Sequence, residues 1–398
     1  MAQISFYTTL LLVILNQVTS VFKNFGLSVY LFDIAVLIFT IFWLVYFLLV
    51  KKSLKLPKKS YLFIIFSFIA GISLLLASPN FKSDELLISG FYLFRFIIYL
   101  FSGIMVFNII ENKMMSREKV FRSFVVSGVV LAFLGVIQLI ILPDFTTLDP
   151  DLGWDPHKNR LASTFFDPNF VGAYCVLCLT LLFDKFYSVN KKSSKFEIRD
   201  VVFFLILLIA LVLTFSRSAW GMFGVVVLIY GLFKSRVLLI SAFFVAFLAY
   251  FAVPRVQTRL SGITDPADSA SLRLDSWGNT VKIIKDNFWI GTGFNTYRYV
   301  QRDYGFLTPD NENVHSGAGS DSSLLFVFAT TGVFGFLVYL LGVLFVSFED
   351  FAKKNKNWLL SLSLVMGFIL ESQFINSLFY PQIMFFVFSV IFIVPYNT

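Results

Sequence analysis

Long apolar runs, separated by short polar connections, extend along most of this chain. Each run approaches the roughly 20 residues that an α-helix needs to cross the hydrocarbon core of a bilayer. The pattern predicts about twelve membrane-spanning helices, two of them short. We place them at residues 4–22, 27–50, 61–77, 86–110, 120–142, 169–187, 201–216, 218–233, 237–253, 321–347, 358–375 and 380–396.

Composition agrees with this pattern and excludes a soluble globular protein. Of the 398 residues, 58% are hydrophobic, 14% are charged and 52 are phenylalanine, whereas soluble domains average about 45–50% apolar and about 25% charged residues. We expect an all-α polytopic membrane protein in which residues 1–398 form one membrane domain. The first apolar run has no preceding charge and no convincing cleavage site, so no cleavable signal is expected.

The basic residues predict the orientation of the spans. A net charge of +8 would suggest nucleic acid as the partner of a soluble protein, but here the positions of the charges matter more than their sum. The basic clusters are separated by even numbers of predicted crossings, so all of them can face the cytoplasm, with both termini inside. They lie within 51–59, 113–119, 191–199, 234–236 and 353–356.

The stretch "LTFSRSAWG" places an arginine between two apolar runs. As a single helix, residues 201–233 would be about 50 Å long, too long for a hydrocarbon core of about 30 Å. The chain is therefore predicted to turn near Arg217, which the orientation places at the outer membrane face. A snorkelling arginine at a helix end is the alternative explanation.

Two long segments are predicted to face outward, residues 143–168 and 254–320, and loops of such length are usually functional. They contain both histidines, His157 and His315. Within the longer segment, apolar residues at helical spacing predict an amphipathic helix lying on the membrane or capping the bundle: Leu274, Trp277, Val281, Ile284 and Phe288. The following "GTGF" is too weak a signal for a phosphate loop.

Three ionisable residues fall inside predicted spans: Asp33, Arg95 and Glu371. Such residues are candidates for a functional polar site, although structural ion pairs of Arg95 with Glu371 or Asp33 explain them equally well. All three fall in the outer half of the bilayer. A transporter would more naturally place its charges near the midplane between inverted repeats, and no such repeat is evident.

Four segments, taken in order, resemble motifs of the O-antigen ligase and Wzy-type polysaccharide polymerase superfamily of GT-C-type membrane glycosyltransferases. They are "RLASTFFDPNFVGAY" (160–174), "LTFSRSAWG" (213–221), "RLDSWGNTVKIIKDNFWIGTGFNTY" (273–297) and "DSSLLFVFATTGVFGF" (321–336). Ligases of this superfamily typically carry His-Asn where this chain has Asp321-Ser322. That departure favours a polymerase and leaves the identity of the general base open.

The resemblance implies a donor glycan carried on undecaprenyl pyrophosphate. It assigns Arg217, Arg273 and Arg160 to the pyrophosphate, because guanidinium groups stay charged and grip phosphate oxygens with two donors. Asp321 would be the general base, with His315 as the alternative. A helix N-cap for Asp321 and a solvated loop position for His315 are the structural alternatives. No metal or other cofactor is expected.

The resemblance thus predicts an enzyme that joins lipid-linked repeat units into a polysaccharide at the outer face of the bacterial cytoplasmic membrane. A ligase that passes finished glycan to lipid A-core or another acceptor is the first alternative. A lipid or polysaccharide transporter is the second. The implied partners are the lipid-linked oligosaccharide, the bilayer, a chain-length regulator and a flippase.

Overall fold

A computed structural model describes residues 1–24, 27–148, 157–188, 197–261, 269–307, 319–353, 355 and 357–394. These ranges form a bundle of α-helices with one antiparallel β-hairpin, β1 (Ser20–Asn24) and β2 (Leu27–Tyr30). The helices are α1 (Ala2–Leu15), α2 (Leu31–Val45), α3 (Tyr61–Ala77), α4 (Ser83–Glu111), α5 (Arg117–Ile141), α6 (Pro168–Ser188), α7 (Ile198–Leu213), α8 (Arg217–Phe233), α9 (Arg236–Ala252), α10 (Pro254–Ser261), α11 (Ser269–Asp286), α12 (Tyr297–Asp303), α13 (Ser323–Ala352), α14 (Trp358–Glu371) and α15 (Pro381–Ile391).

The all-α, multi-span prediction is confirmed at the level of the helices. Each of the twelve predicted apolar segments contains one helix, α1 to α9 and α13 to α15. In the part of the chain that the structure describes, seven helical segments are long and apolar enough to cross a membrane, or eight if the bent pair of α9 and α10 counts as one span. Three shorter apolar helices are α8, α14 and α15. The count of twelve crossings therefore stays a prediction.

The first two predicted spans are shorter than the apolar pattern suggested. Helix α1 ends at Leu15, and the next residue, Asn16, adopts a positive φ of 20°. A 3₁₀ turn (Asn16–Thr19) then leads into the hairpin. Helix α2 begins only after Tyr30, whose backbone N–H donates to Asp33 Oδ2 at 2.9 Å. Apolar character alone could not distinguish this short hairpin from helix, because both fill a run of hydrophobic residues.

Several helix ends that were predicted to face the outer side of the membrane lie together in the structure. Gln138, near the end of α5, accepts a hydrogen bond from the backbone N–H of Ala162 at 2.9 Å, and Leu161 N–H donates to the carbonyl of Leu213, the last residue of α7, at 2.9 Å. We call this the loop end of the bundle: α5 and α7 finish here, and α6 and α8 begin here. Such alternation of helix ends is what successive crossings require.

The opposite end of the bundle carries ion pairs. Lys59 Nζ lies 2.6 Å from Asp350 Oδ2, with both side chains almost fully buried. Arg117 lies 3.5 Å from Asp184. Lys59 belongs to a basic cluster that was predicted to face the cytoplasm, and its burial is compensated by the Asp350 carboxylate. Buried charges are retained in proteins when they are paired in this way.

Helix α13 is interrupted at Gly332, whose φ of 66° and ψ of −173° are not helical. The loop after α11 fits into this break. Thr292 and Gly293 donate backbone hydrogen bonds to the carbonyls of Ala329 (2.9 Å) and Thr330 (3.0 Å). The residues after the break, 333–352, would span about 30 Å as a helix, which matches the hydrocarbon core.

Helix α11 packs along the first part of α13, so the amphipathic helix predicted in the long outer segment is confirmed. Its buried face differs from the predicted stripe. Ile283 and Ile284 are buried against α13, whereas Leu274 and Val281 are 63% and 39% exposed. Polar side chains extend the buried face, because Thr280 Oγ1 donates to Ser320 Oγ at 2.9 Å. Hydrogen bonds therefore replaced part of the expected apolar contact.

Candidate functional site

Arg217 is the first residue of α8 and lies at the loop end. Ser216 caps the helix, accepting a hydrogen bond from the backbone N–H of Ala219 at 3.4 Å, and Phe215 before it adopts a positive φ of 47°. The first turn of α8 packs against the last turn of α14, since a Cβ added at Gly221 would lie 3.2 Å from Leu370. Arg217 is thus at the turn that the sequence predicted, beside the end of α14.

Arg160 is buried and braces this turn. Its Nε donates to the carbonyl of Thr214 at 2.8 Å, and its Nη2 donates to Asn169 Oδ1 at 3.1 Å. The same amide oxygen accepts a hydrogen bond from Ser216 Oγ at 2.8 Å. Arg160 therefore ties the segment before α6 to the turn before α8, and in this structure its guanidinium acts on backbone and amide groups.

Two arginines that the sequence did not single out join Arg217 and come from the short helix α10. Arg217 Nη1 donates to the carbonyl oxygen of Arg259 at 3.1 Å, and Arg259 Nε donates to the carbonyl of Phe215 at 3.3 Å. The guanidinium of Arg255 lies 4.1 Å from the ring centroid of Phe215 and donates to the carbonyl of Asn159. We call Arg160, Arg217, Arg255 and Arg259 the arginine cluster. The i, i+4 spacing in "PRVQTRL" was the available sequence signal.

Glu371 ends α14 beside this cluster and is fully buried. Its Oε2 accepts a hydrogen bond from Ser377 Oγ, and its Oε1 has no hydrogen-bond partner among the described residues. The carboxylate lies within electrostatic range of Arg273 on α11 and of Asp167 before α6. Arg273 and Glu371, which the sequence treated separately, thus belong to one neighbourhood.

The other two intramembrane charges form a separate pair. Arg95 Nη2 lies 2.8 Å from Asp33 Oδ2 and also donates to the carbonyl of Ser28. Tyr99 donates to the other carboxylate oxygen of Asp33 at 2.9 Å. Of the two ion pairs weighed for Arg95, the one with Asp33 is formed. It anchors the hairpin to α2 and α4.

Asp321 lies directly before α13, and it is not the residue that caps this helix. Ser322 does so by accepting a hydrogen bond from the backbone N–H of Leu325 at 3.3 Å. The backbone N–H of Asp321 donates to Ser276 Oγ on α11 at 3.2 Å. Burial raises the pKa of Tyr297 to about 12, and the nearby Asp321 carboxylate adds to this rise. His315, the alternative base, lies outside the described residues.

Asp321 and Glu371 are linked through the backbone. Ser323 N–H donates to the carbonyl of Ser372, one residue beyond Glu371, at 2.8 Å. Three helices, α6, α8 and α13, therefore begin around the end of α14. Helix N-termini carry partial positive charge and unpaired backbone N–H groups, and they favour anions. The arginine cluster and Arg273 add full positive charges to this field.

The "GTGF" segment has a structural role. The N–H groups of Thr292 and Gly293 are used in hydrogen bonds to α13. Gly291 adopts a φ of 77°, and a Cβ there would lie 2.5 Å from the backbone of Thr331. Only glycine suits such a position. In the part of the chain that the structure describes, no group of three or more His, Cys, Asp or Glu side chains is arranged to hold a metal ion.

Comparison with known families adds one finding. Residues 202–340 match the model of the O-antigen ligase family. This match contains Arg217, Arg255, Arg259, Arg273 and Asp321, and it covers three of the four motif segments that indicated the resemblance. The predicted superfamily is therefore confirmed. A search of curated proteins finds no match.

Proposed function

Because residues 202–340 match the model of the O-antigen ligase family, we propose that this chain is a membrane glycosyltransferase that polymerises undecaprenyl-pyrophosphate-linked oligosaccharide repeat units. The reaction would take place at the outer face of the bacterial cytoplasmic membrane, with both termini inside. The observation that carries the proposal is the gathering of Arg217, Arg273 and Asp321 around the end of α14 at the loop end.

The arginines suit the leaving group of this reaction. When the bond between the sugar and the phosphate breaks, the pyrophosphate keeps the electron pair and gains negative charge. Arg217, on the first turn of α8, adds a guanidinium to the partial positive charge of the helix N-terminus. Arg273 would approach from α11. Preorganised positive groups of this kind stabilise a developing anion without needing to rearrange during the reaction.

Asp321 suits the acceptor side. The oxygen of an acceptor sugar hydroxyl forms the new bond to the anomeric carbon, and its proton must pass to a base. Ser322 takes the capping role, which removes the structural explanation that we weighed for the Asp321 carboxylate. Asp321 lies between α11, through the hydrogen bond to Ser276, and the end of α14, through the neighbouring bond from Ser323 to Ser372. His315, six residues earlier, stays the alternative base.

A ligase is the second candidate, because the matched family is described as O-antigen ligase. Ligase and polymerase would share the donor and the arginines and would differ in the acceptor. Against a transporter, the gathered arginines and carboxylates lie at the ends of helices and not at their middles. Transported substrates are usually bound near the bilayer midplane.

The proposal is tested by Arg217→Ala and Asp321→Asn in a host that lacks the native gene, with glycan length read on a gel. Arg236→Ala is a matched control, because Arg236 also follows a capping serine at the first position of a helix but lies at the opposite end of the bundle. We expect both site variants to lose the polymer ladder and keep single lipid-linked units, while the control keeps the ladder. Polymer that accumulates on the lipid carrier would identify a ligase. A parental ladder in both site variants would refute the site.

A further inference from the structure

A cleft lies at the end of α11 that is remote from Arg273. It has a volume of about 350 Å³ and is formed where the end of α3 and the turn after it meet the end of α11 and helix α12. This volume lies within the range of about 300–1,000 Å³ that is typical of small-molecule sites. None of the residues considered above for the donor or the acceptor lines this cleft.

Hydrogen bonds to neighbouring helices hold one wall of the cleft in place. Gly291 and Thr292 form one side, and their segment is bonded to the break in α13 through the hydrogen bond from Thr292 N–H to Ala329. Ser73 of α3 reinforces the junction by donating to the carbonyl of Ile290 at 2.8 Å. A site built on such backbone contacts keeps its shape without a ligand, which reduces the cost of binding.

The lining suits a hydroxylated ligand. Asn80 offers a side-chain amide that can donate and accept hydrogen bonds, and Asp303 offers a carboxylate that accepts them. Asn287 contributes a second amide, whose Nδ2 also donates to the carbonyl of Ile283 at 3.1 Å. Phe81 and Tyr304 add aromatic rings, whose faces suit the C–H side of a sugar ring. Sugars present this combination of an apolar face and adjacent hydroxyl groups.

Charge disfavours a phosphate in this cleft. Tyr304 donates from its hydroxyl to Asp286 Oδ2 at 2.7 Å, and Asp303 stands at the rim. The neighbouring Arg302 is already bonded to Glu85 (2.8 Å) and to Asp303 (3.1 Å). Among the described residues that line the cleft, Asp303 is a carboxylate and none is a lysine or arginine, in contrast to the arginine cluster.

Helix α11 sets the separation between the cleft and the proposed catalytic site. Arg273 lies in its first turns and Asn287 directly follows its last residue. These fourteen steps along a helix correspond to about 21 Å. The first part of α13, beside α11, runs from the end of α14 to the end of α3, because Ser323 bonds to Ser372 and Thr330 bonds to Ser73. Both ends of α11 therefore lie on the same side of the bundle as the loop end.

We propose that this cleft binds sugar residues of the glycan chain at a distance of several sugar rings from the site of bond formation. The inference rests on the proposed function and extends it with a site for the growing polymer. A chain held in the cleft would stay on the enzyme between successive additions. The cleft would thereby contribute to product length.

Direct binding tests the proposal. The probe is the lipid-free oligosaccharide that mild acid releases from the host's lipid-linked repeat unit, titrated into the purified full-length protein and followed by saturation-transfer NMR. Combining Asn80→Ala with Tyr304→Ala should weaken binding at least about tenfold, whereas Asn279→Ala, elsewhere on α11, should not. Inorganic pyrophosphate should not displace the oligosaccharide. Equal affinity in the double variant and the parent, or displacement by pyrophosphate, would overturn the proposal.

Product length gives an independent measurement. In the host, the double variant should consume single repeat units but shorten the ladder, and a ladder of parental length would count against the cleft. Tyr304→Phe keeps the aromatic ring and checks that the shortening does not come from misfolding. This variant should give longer products than the double variant. Equally short products would contradict the role of the ring. If Arg217→Ala and Asp321→Asn keep the ladder, the proposed function fails, whatever the cleft binds.

Discussion

The guanidinium of Arg217 is bonded to the backbone carbonyl of Arg259, a residue 42 positions later in the chain, at 3.1 Å. Arg259 in turn bonds through its side chain to the carbonyl of Phe215. The first residue of α8 and the short helix α10 therefore hold each other. The orientation of Arg217 depends on α10 as well as on its own helix.

We expect Arg259→Ala to lower the rate of glycan transfer about tenfold or more, because a misplaced Arg217 would stabilise the leaving group less well. The effect should fall on kcat more than on KM, and Arg259→Lys should restore part of it by reaching the carbonyl of Phe215. Transfer from purified lipid-linked donor measures both constants. Thr258→Ala, on an exposed face of α10, is the control, and an equal loss there would show that general damage to the helix is responsible.

Replacement of Arg160 by alanine should lower the folding stability more than replacement of Arg217. Arg160→Ala removes two charge-assisted hydrogen bonds from a buried turn and should lower the free energy of unfolding by about 3 kcal/mol. Arg217→Ala should lower it by about 1 kcal/mol while abolishing transfer. Thermal unfolding in detergent micelles measures both. Similar stabilities for the two variants would mean that Arg160 does not brace the turn.

Gly291 and Gly305 form a matched pair, since both adopt a positive φ, of 77° and 70°. A Cβ at Gly291 would lie 2.5 Å from backbone atoms of α13, whereas nothing lies within 4 Å at Gly305. Gly305→Ala should cost about 1–2 kcal/mol from backbone strain, and Gly291→Ala should prevent accumulation of folded protein. Size-exclusion chromatography of membrane extracts separates the two outcomes. Folded Gly291→Ala at parental yield would disprove the close approach.

Substitutions at Ser322 and at Asp321 should separate the effect of helix capping from the effect of the general base. Ser322→Ala removes the cap of α13 and should cost about 1 kcal/mol without loss of transfer. Asp321→Asn should retain stability and lose transfer, because an amide does not take up a proton. Unfolding temperature and initial rate, measured on the same preparations, test the contrast. A fully active Asp321→Asn would direct attention to His315.

Deprotonation of Tyr297 should lower the folding stability at alkaline pH. Its pKa is raised to about 12 by burial, against 10.0 in the unfolded chain, so the unfolded state releases the proton first. Stability from this residue is complete below pH 10 and falls as the pH rises towards 12, by up to about 3 kcal/mol. Its hydroxyl lies 2.6 Å from Thr280 Oγ1. The alkaline unfolding midpoint of Tyr297→Phe should exceed that of the parent at equal stability near pH 8. Coinciding midpoints would contradict the shift.

Much of the helix pattern followed from hydropathy, because burial of an apolar run in lipid requires its backbone to be hydrogen-bonded within the helix. The turn at Arg217 followed from the length of the apolar stretch 201–233 and from the basic clusters at both of its ends. The face of α11 was predicted less well, since Leu274 and Val281 are exposed while Thr280 is buried. A stripe of apolar residues does not reveal that a polar side chain has found a buried partner.

Contacts between distant parts of the chain could not be found by spacing. The i, i+4 spacing of Arg255 and Arg259 indicates a shared helix face, but it does not place that face beside Arg217. Arg255 and Arg259 follow a proline in an otherwise unremarkable polar stretch, and their importance appears only when α10 lies on Phe215. The hydrogen bond that Ser216 Oγ donates to Asn169 Oδ1 likewise joins positions 47 residues apart. Local periodicity contains no information about such contacts.

Helix α9 has no buried residue, although it is apolar throughout, and it meets α10 at a bend of 97°. Because α9 is predicted to cross the membrane, we expect lipid acyl chains to be the packing partners of its side chains. Since α10 carries Arg255 and Arg259, we expect the lipids around α9 to influence the position of these arginines. We therefore expect purification that removes these lipids to disturb the arginine cluster and lower the transfer activity. Activity should return when the protein is reconstituted in nanodiscs of native thickness.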